Sequence, residues 1–323
     1  MRGPSHQPHK KDNSLALTTR YGTLFGLLAI IALFSALSPG SFAQYSNLIN
    51  ITQQMSLLAI VALGATYVMA LSEFDLSVGA VVSWAGILAV TLFGAGWGVP
   101  QTIIATLASA FAIGCASGFL VARFRMPSFI VTLALGTIMG GATFWLSNGA
   151  TLFANIPPEF RNLGRGAVAG IPVLTLWALA MTALTVFVLD HTELGRRIHA
   201  IGGNREAARL TGVPIPRNMV VAFGLCTLFA GIAGLLLTAR LGSAHPTGGN
   251  GFLLQAYAAA FLGMTAFRDG EANALGTLLG AAIIAVAANG LTILGVPNYL
   301  QDIFTGLIIV AAVLVRNVGR REE

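Results

Sequence analysis

The sequence predicts an all-α polytopic membrane protein with about ten transmembrane helices. Of its 323 residues, 55% are hydrophobic and only 9% are charged, whereas soluble domains carry roughly 25% charged residues. The charges also cluster in short gaps between apolar runs of about twenty residues, the length that crosses a bilayer. We therefore expect one helical membrane unit rather than the two soluble domains that length alone suggests.

Ten apolar segments follow one another along the chain. The first resembles a signal peptide, since Ser41-Phe42-Ala43 follows it, but the continuing series of spans favours an uncleaved helix. A polar tail at 1–19 precedes the spans. The predicted spans are 20–38, 51–71, 76–94, 101–122, 128–147, 171–189, 218–239, 253–267, 274–294 and 298–315.

The basic residues predict the orientation of these spans. Lys and Arg accumulate in cytoplasmic loops because they resist translocation. With alternating spans, fifteen of the eighteen basic residues fall on the side of both termini and the 190–217 loop. The other side carries only Arg161, Arg165 and Arg240. We predict that both termini are cytoplasmic, and the same rule accounts for the net charge of +6 without a nucleic-acid partner.

The 190–217 loop is the longest polar interval between apolar segments, and it holds five of the basic residues. Within it, residues 204–210 read as a short helix that Gly212 and Pro214 end. The loop is therefore expected to present a short helix to the cytoplasm.

The junction of the second and third spans carries Glu73 and Asp75 without a basic neighbour in sequence. Asp75 precedes Ser77 and Gly79, so it can cap the following helix. Alternatively, the junction is a helix break that reaches into a transport path, which ionisable groups at membrane depth usually mark. Both interpretations stay open at this point.

Two further irregular stretches flank the short eighth span. The Gly- and Pro-rich segment 238–251 is either a re-entrant segment that forms part of a mouth or gate, or an ordinary surface loop. The turn at 262–271, with Arg268, Asp269 and Glu271, is either solvated or a second contact with a cytoplasmic partner.

An internal echo suggests a duplicated half. Residues 135–142 (LGTIMGGA) resemble 275–282 (LGTLLGAA), and Ser147-Asn148-Gly149 resembles Ala288-Asn289-Gly290. Glycine-rich helices also converge on such patterns, because small residues let helices approach closely.

Nothing in the sequence supports catalysis by this chain. It lacks a Gly-rich phosphate loop with Lys-Ser or Lys-Thr and a Ser/His/Asp set at one membrane face. Cys115 and Cys226 lie inside apolar runs and no histidines share ligand spacing, so we predict neither a disulfide nor a metal site. Because the spans are nearly free of ionisable groups, uphill transport would draw on an external motor.

Several motifs resemble the permease subunits of bacterial ABC importers. Glu206-Ala207-Ala208 followed by Gly212 is similar to the EAA-x3-G core of their coupling loop. Asp75-Leu76-Ser77-Val78-Gly79 resembles the DLSVG signature of the ribose/xylose/autoinducer branch. The resemblance covers about residues 45–316 and includes the motifs at 195–197, 200–204, 239–241, 246–247, 276–277 and 289–291. Residues 71–74 and 263–270 depart from the family pattern.

The resemblance implies a subunit of the bacterial inner (plasma) membrane that imports a sugar or sugar-like solute. A cytoplasmic ATPase, which binds the ATP and Mg, would drive it, a periplasmic binding protein would deliver solute, and a second permease copy would complete a homodimer in the lipid. The permease domain would span 20–316, with a cytoplasmic tail at 317–323. The residues expected to couple to the ATPase are Asn204, Arg205, Glu206, Ala207, Ala208, Arg209 and Gly212.

Other polar residues are candidates for solute and partner contacts. An uncharged hydroxylated solute needs amide and hydroxyl hydrogen bonds rather than ion pairs. The candidates for the solute path are Asp75, Asn148, Tyr257 and Asn289. Exposed charged residues in or near the outer segment 148–170 are candidates for docking the binding protein, namely Glu159, Arg161, Arg165 and Arg240.

Three alternatives compete with the sugar importer. An ion-coupled secondary carrier would use Glu73 or Asp75 and would need no ATPase. A membrane scaffold or sensor would present the 204–212 helix to another partner. Within the importer class, a nucleoside or amino-acid permease is the remaining alternative.

Overall fold

A computed structural model describes residues 13–267 and 270–319 of the chain. Most of the predicted tail at 1–19 lies outside these ranges. Arg268 and Asp269 of the 262–271 turn also lie outside them. Six basic residues that entered the orientation prediction also lie outside them: Arg2, Lys10, Lys11, Arg268, Arg320 and Arg321.

The regular secondary structure of the described part is helical, apart from one short hairpin that follows α6 and an isolated β-bridge between Leu152 and Ala244. The hairpin pairs β1 (Ala167–Val168) with β2 (Ile171–Pro172) in antiparallel register. The helices are α1 (Asn13–Leu37), α2 (Tyr45–Met69), α3 (Val78–Gly94), α4 (Val99–Phe124), α5 (Ser128–Ser147), α6 (Pro158–Arg165), α7 (Val173–Val186, continued by a π-helical turn, Phe187–His191), α8 (Glu193–Gly203), α9 (Arg205–Leu210), α10 (Ile215–Leu241), α11 (Asn250–Met264), α12 (Ala274–Ile293) and α13 (Asn298–Gly319).

Six described helices are long and apolar enough to cross a membrane, namely α2, α4, α5, α7 with its π-helical end, α10 and α12. The segments Gly22–Leu37 and Val78–Gly94 are shorter apolar helices. The predicted polytopic helical class is confirmed, while the count of ten spans and their orientation stay predictions. The eighth predicted span, 253–267, is the helix Asn250–Met264 in the structure.

Helices α2 and α10 form the centre of the bundle. Every residue from Ser56 to Leu71 is buried, and α10 packs against α2, α3 and α4. A β-carbon on Gly118 of α4 would lie 2.7 Å from the Cα of Val220 in α10. The two backbones therefore approach closely enough that only glycine fits, as the small-residue spacing predicts.

Each central helix is followed by a non-helical connection and then by a shorter helix. Residues 70–77 connect α2 to α3, and residues 242–249 connect α10 to α11. The fold thus contains two similar breaks. By contrast, the two helices that carry the sequence echo differ in burial. Of the most apolar stretch of each helix, 17% is buried in α5 and 61% is buried in α12. Internal duplication stays a prediction.

The connection 242–249 runs back into the bundle. Gly249 packs so tightly on α3 that a β-carbon there would lie 2.0 Å from the carbonyl oxygen of Gly79, and its N–H donates to the Ser83 hydroxyl at 2.8 Å. Gly234, which also packs on this part of α3, lies seven residues before Leu241, the last residue of α10. Helix α11 therefore begins about 10 Å inside the end of α10, which supports the re-entrant interpretation.

Candidate functional site: the coupling loop and the 70–77 junction

The loop between α7 and α10 contains two helices that their own side chains cap. The Thr192 hydroxyl accepts a hydrogen bond from the Gly195 N–H at 3.3 Å and so caps the first turn of α8. The Asn204 side-chain Oδ1 accepts one from the Ala207 N–H at 2.9 Å and caps the first turn of α9. Such caps satisfy backbone donors that the first helical turn leaves free. Gly212, at φ 81°, takes the left-handed conformation that follows the helix.

The short helix α9 has one buried and one exposed face. Ala208 is 4% exposed and faces the bundle, whereas Leu210 is 76% exposed. Glu206 and Arg209 form an ion pair on the exposed face, and the hydrogen bond from Arg209 lowers the pKa of Glu206. An exposed leucine beside a paired charge suits contact with another protein better than contact with water.

The loop docks against the junction at 70–77. A β-carbon on Gly202 would lie 2.0 Å from the carbonyl oxygen of Ala70, and the Ser72 hydroxyl donates to the Gly202 carbonyl at 3.0 Å. Arg205 Nη1 lies 3.3 Å from Glu73 Oε1. Backbone packing, a hydrogen bond and a salt bridge therefore join the loop to the end of the central helix α2.

The junction is in turn held by three side-chain hydroxyls from two other helices. Three consecutive N–H groups donate to them: Phe74 to Ser128 Oγ at 3.3 Å, Asp75 to Tyr257 Oη at 2.6 Å, and Leu76 to Thr132 Oγ1 at 2.9 Å. Ser128 and Thr132 belong to α5, and Tyr257 belongs to α11. These hydroxyls replace the helical partners that the break removes.

Asp75 holds the turn that precedes α3 and lies inside the bundle. Its Oδ1 accepts hydrogen bonds from the N–H of Ser77 at 2.9 Å and from the Ser77 hydroxyl at 2.5 Å. The side chain is fully buried beside the Cys226 thiol. Cys226 lies eleven residues beyond Ile215, the first residue of α10, which corresponds to about 16 Å along the helix. The carboxylate therefore joins the turn to Ser77, the residue before α3, from a position well inside the bundle. The capping and transport-path interpretations both stay predictions.

The four predicted solute-path residues lie in three places. Asp75 and Tyr257 are in contact, as described above. Asn289 is 5% exposed and exchanges two hydrogen bonds, at 2.9 and 3.0 Å, with Asn47 of α2, a partner that sequence reasoning missed. Asn148 is exposed and ends α5 in the left-handed conformation.

The predicted docking residues lie at the other end of α10 from the coupling loop, and two of them make intramolecular contacts. The Arg165 guanidinium donates to the carbonyl oxygens of Arg240 and Leu241 at 2.6 and 2.7 Å. Its positive charge therefore stabilises the C-terminal end of α10. Arg240 Nη2 donates to Asn50 Oδ1 at 3.0 Å. Glu159 is exposed and Arg161 is half-buried.

A helical bundle of membrane-crossing length, with a capped and exposed helix docked against a break in its central helix, defines a membrane permease subunit. The chain matches the family described as "Branched-chain amino acid transport system / permease component" over residues 47–313, and it belongs to that family.

Individual relatives share almost the whole chain. It is 40% identical over 299 residues to the ribose import permease protein of Escherichia coli strain K12. The aligned region covers 91% of this chain and 92% of the relative. It is 34% identical over 297 residues to the ribose import permease protein of Bacillus subtilis strain 168, with 92% of each covered. It is 34% identical over 313 residues to the D-allose transport system permease protein of E. coli K12, with 96% and 95% covered.

These similarities confirm the predicted class of protein. The chain is a sugar-import permease subunit of the inner membrane, with multiple membrane-spanning helices. It is a permease rather than an enzyme, as the motifs predict. A permease of this class works with a separate ATPase and a periplasmic binding protein.

Proposed function

We propose that this chain forms the membrane channel of an ATP-driven importer that carries a monosaccharide of the ribose, allose or xylose kind into the cytoplasm. The names of its relatives support this class of solute. The observation that carries the coupling mechanism is the docking of the loop on the 70–77 junction, because it connects an exposed helix to the centre of the bundle.

In this proposal the ATPase holds α9, and the residues of the loop have distinct roles. Asn204 and Gly212 fix the ends of the helix, and Ala208 seats it on the bundle. Glu206 and Arg209, with Ala207 at the same turn, present the surface that the ATPase contacts. Arg205 faces inward to Glu73 and transmits the displacement. ATP and Mg bind the ATPase, and this chain needs no cofactor of its own.

The remaining features of the importer belong to the same proposal. Two copies of the chain, each with ten spans and cytoplasmic termini, form the channel between them. The binding protein docks at the α6 end of the bundle, where Glu159 and Arg161 are available. Arg165 and Arg240 shape that surface through the contacts with α10 and Asn50.

The secondary carrier is less well supported by the geometry. Glu73 is paired with Arg205, and the Oδ1 of Asp75 is occupied by Ser77. A carrier residue must gain and lose its ion during each cycle, and these contacts hold Glu73 and one oxygen of Asp75 in structural roles. Oδ2 of Asp75 is buried without a hydrogen-bond partner among the described residues. Transport without an ATPase and its loss in Asp75→Asn would nevertheless establish the carrier.

Affinity capture of the intact protein from detergent tests the proposal. We expect an ATPase to co-purify, as identified by mass spectrometry and by ATP hydrolysis in the eluate, and to be lost from the double variant Glu206→Arg/Gly212→Trp. Gln101→Arg is the matched control, because Gln101 is exposed in the first turn of α4, away from the loop. A double variant that inserts, folds and transports without an attached ATPase would overturn the proposal.

A further inference from the structure

A polar cleft between α11, α12 and α13 lies outside the coupling site and has no role in the mechanism above. It has a volume of about 260 Å³, slightly below the range of about 300–1,000 Å³ that ligand pockets occupy. Its polar side chains are Gln255, Gln301, Asp302 and Thr305, and its apolar walls include Ile284 and Phe304.

The cleft reaches the interior of the bundle. On α12 it is lined by Ile284, Ala287, Ala288 and Leu291, which form one helical face and extend over about 10 Å. Its inner end is at Gln255, five residues after the start of the re-entrant helix α11. Its outer end is at Gln301, whose side-chain amide donates to the Thr292 hydroxyl and to the Val296 carbonyl oxygen.

Two polar side chains of the cleft have no partner within residues 13–267 and 270–319. The Gln255 amide is half-buried and the Asp302 carboxylate is exposed, and neither has a hydrogen bond or ion pair in that part of the chain. A free carboxylate and a free amide are costly in hydrocarbon. This surface therefore suits contact with water or a polar solute better than contact with lipid tails.

The geometry points to a site for a hydroxyl-rich, uncharged solute in this cleft, and we propose that the imported sugar contacts Asp302 and Gln255 on its way through the channel. A carboxylate accepts hydrogen bonds from two hydroxyls, and a glutamine amide both donates and accepts. Phe304 and Ile284 supply the apolar wall against which the C–H face of a sugar packs. This inference rests on the proposed sugar import, and it adds to the solute path Asp302 and Gln255, which none of the sequence motifs contains.

The first test uses the assembled importer in liposomes, with the ATPase and the sugar-loaded binding protein, and measures uptake of radiolabelled D-ribose, D-allose and D-xylose. We expect Asp302→Asn and Gln255→Leu to reduce uptake by about tenfold, because each removes a hydrogen bond to the solute. ATP hydrolysis stimulated by the loaded binding protein should persist, since the coupling loop is unchanged. Asp302→Glu should recover part of the uptake, and Gln101→Leu, at an exposed glutamine far from the cleft, should behave like the unaltered protein.

The second test asks whether the sugar occupies the cleft. In a Cys115→Ala/Cys226→Ala background that retains uptake, Ala288→Cys is treated with a membrane-impermeant thiol reagent, with Leu294→Cys outside the cleft as the control. We expect the loaded binding protein with ATP to slow modification of Ala288→Cys several-fold, while the sugar-free binding protein does not.

The outcomes separate this inference from the proposed function. If the unaltered protein takes up none of the three sugars, the proposed function fails. If it takes up a sugar but both cleft variants transport normally, or the sugar-free binding protein protects Ala288→Cys equally well, the inference about the cleft is wrong.

Discussion

The hydroxyl of Tyr257 holds both backbone groups of Asp75: it accepts a hydrogen bond from the N–H at 2.6 Å and donates one to the carbonyl oxygen at 3.0 Å. One side chain of the re-entrant helix α11 thus completes the backbone of the break after α2. The break is the part of the bundle that the coupling loop touches. In the proposed coupling mechanism, these hydrogen bonds would transmit a movement of the loop to α11.

Tyr257→Phe should weaken this connection. It leaves the buried N–H and carbonyl groups of Asp75 without their partner, and each unsatisfied group costs about 1–3 kcal/mol. We expect a lower melting temperature in detergent, measured by fluorescence-detected size-exclusion chromatography, and fewer sugar molecules imported per ATP hydrolysed. Tyr299→Phe, at an exposed tyrosine of α13, is the control. An unchanged melting temperature for Tyr257→Phe would show that the two hydrogen bonds contribute little.

The neighbouring glycines 202 and 203 offer a matched test of the loop contact. An alanine β-carbon at Gly202 would lie 2.0 Å from the carbonyl oxygen of Ala70, whereas one at Gly203 would meet nothing within 4 Å. Gly202→Ala should push the loop away from the junction, at a cost of about 1–3 kcal/mol, and lower uptake per ATP several-fold. Gly203→Ala should leave both the stability and the uptake per ATP unchanged. Equal effects of the two substitutions would mean that the close contact does not transmit coupling.

The fold class and the coupling loop could be predicted because their signals lie in residues that are adjacent in the sequence. The apolar runs, Asn204 as a cap and Gly212 as a terminator are read from adjacent residues, and the structure has the short helix at Arg205–Leu210. The environment of Asp75 could not be predicted from adjacent residues, because its burial depends on where α2 ends relative to α10. In the structure its carboxylate bonds to Ser77, the residue before α3.

The partners of the junction could not be predicted, because they are distant in sequence. Ser128 and Thr132 lie four residues apart in an apolar helix, a spacing that places both hydroxyls on one face. That signal was available, but it does not identify the backbone N–H groups of Phe74 and Leu76 as the donors to these hydroxyls. Asn47 was missed for the same reason, since only the packing of α2 on α12 reveals Asn289 as its partner.

The salt bridge between Arg205 and Glu73 predicts compensation between two charge reversals. Because Arg205 is about half exposed, with 47% of its side chain accessible, the pair should contribute less than about 1 kcal/mol to stability. Its role in coupling is therefore separable from folding. Glu73→Arg and Arg205→Glu should each lower uptake per ATP while the ATPase still co-purifies.

The swapped double variant Glu73→Arg/Arg205→Glu should regain most of the lost uptake, because it restores the pair with opposite polarity. Uptake and ATP hydrolysis are measured on the same liposomes for all four proteins. Strictly additive losses in the double variant would show that the two residues act independently.

The close contact between α3 and α11 gives the last prediction. A β-carbon at Gly249 would lie 2.0 Å from the Gly79 carbonyl oxygen and 2.8 Å from the Cβ of Val82, whereas at Gly251 it would meet nothing within 4 Å. Gly249→Ala must therefore separate the beginnings of the two short helices, with a loss of about 1–3 kcal/mol and a lower melting temperature. Gly251→Ala should be neutral or slightly stabilising, because alanine favours helix more than glycine does. If both variants melt at the temperature of the unaltered protein, α11 does not begin against α3, and the re-entrant path of residues 242–249 would have to be abandoned.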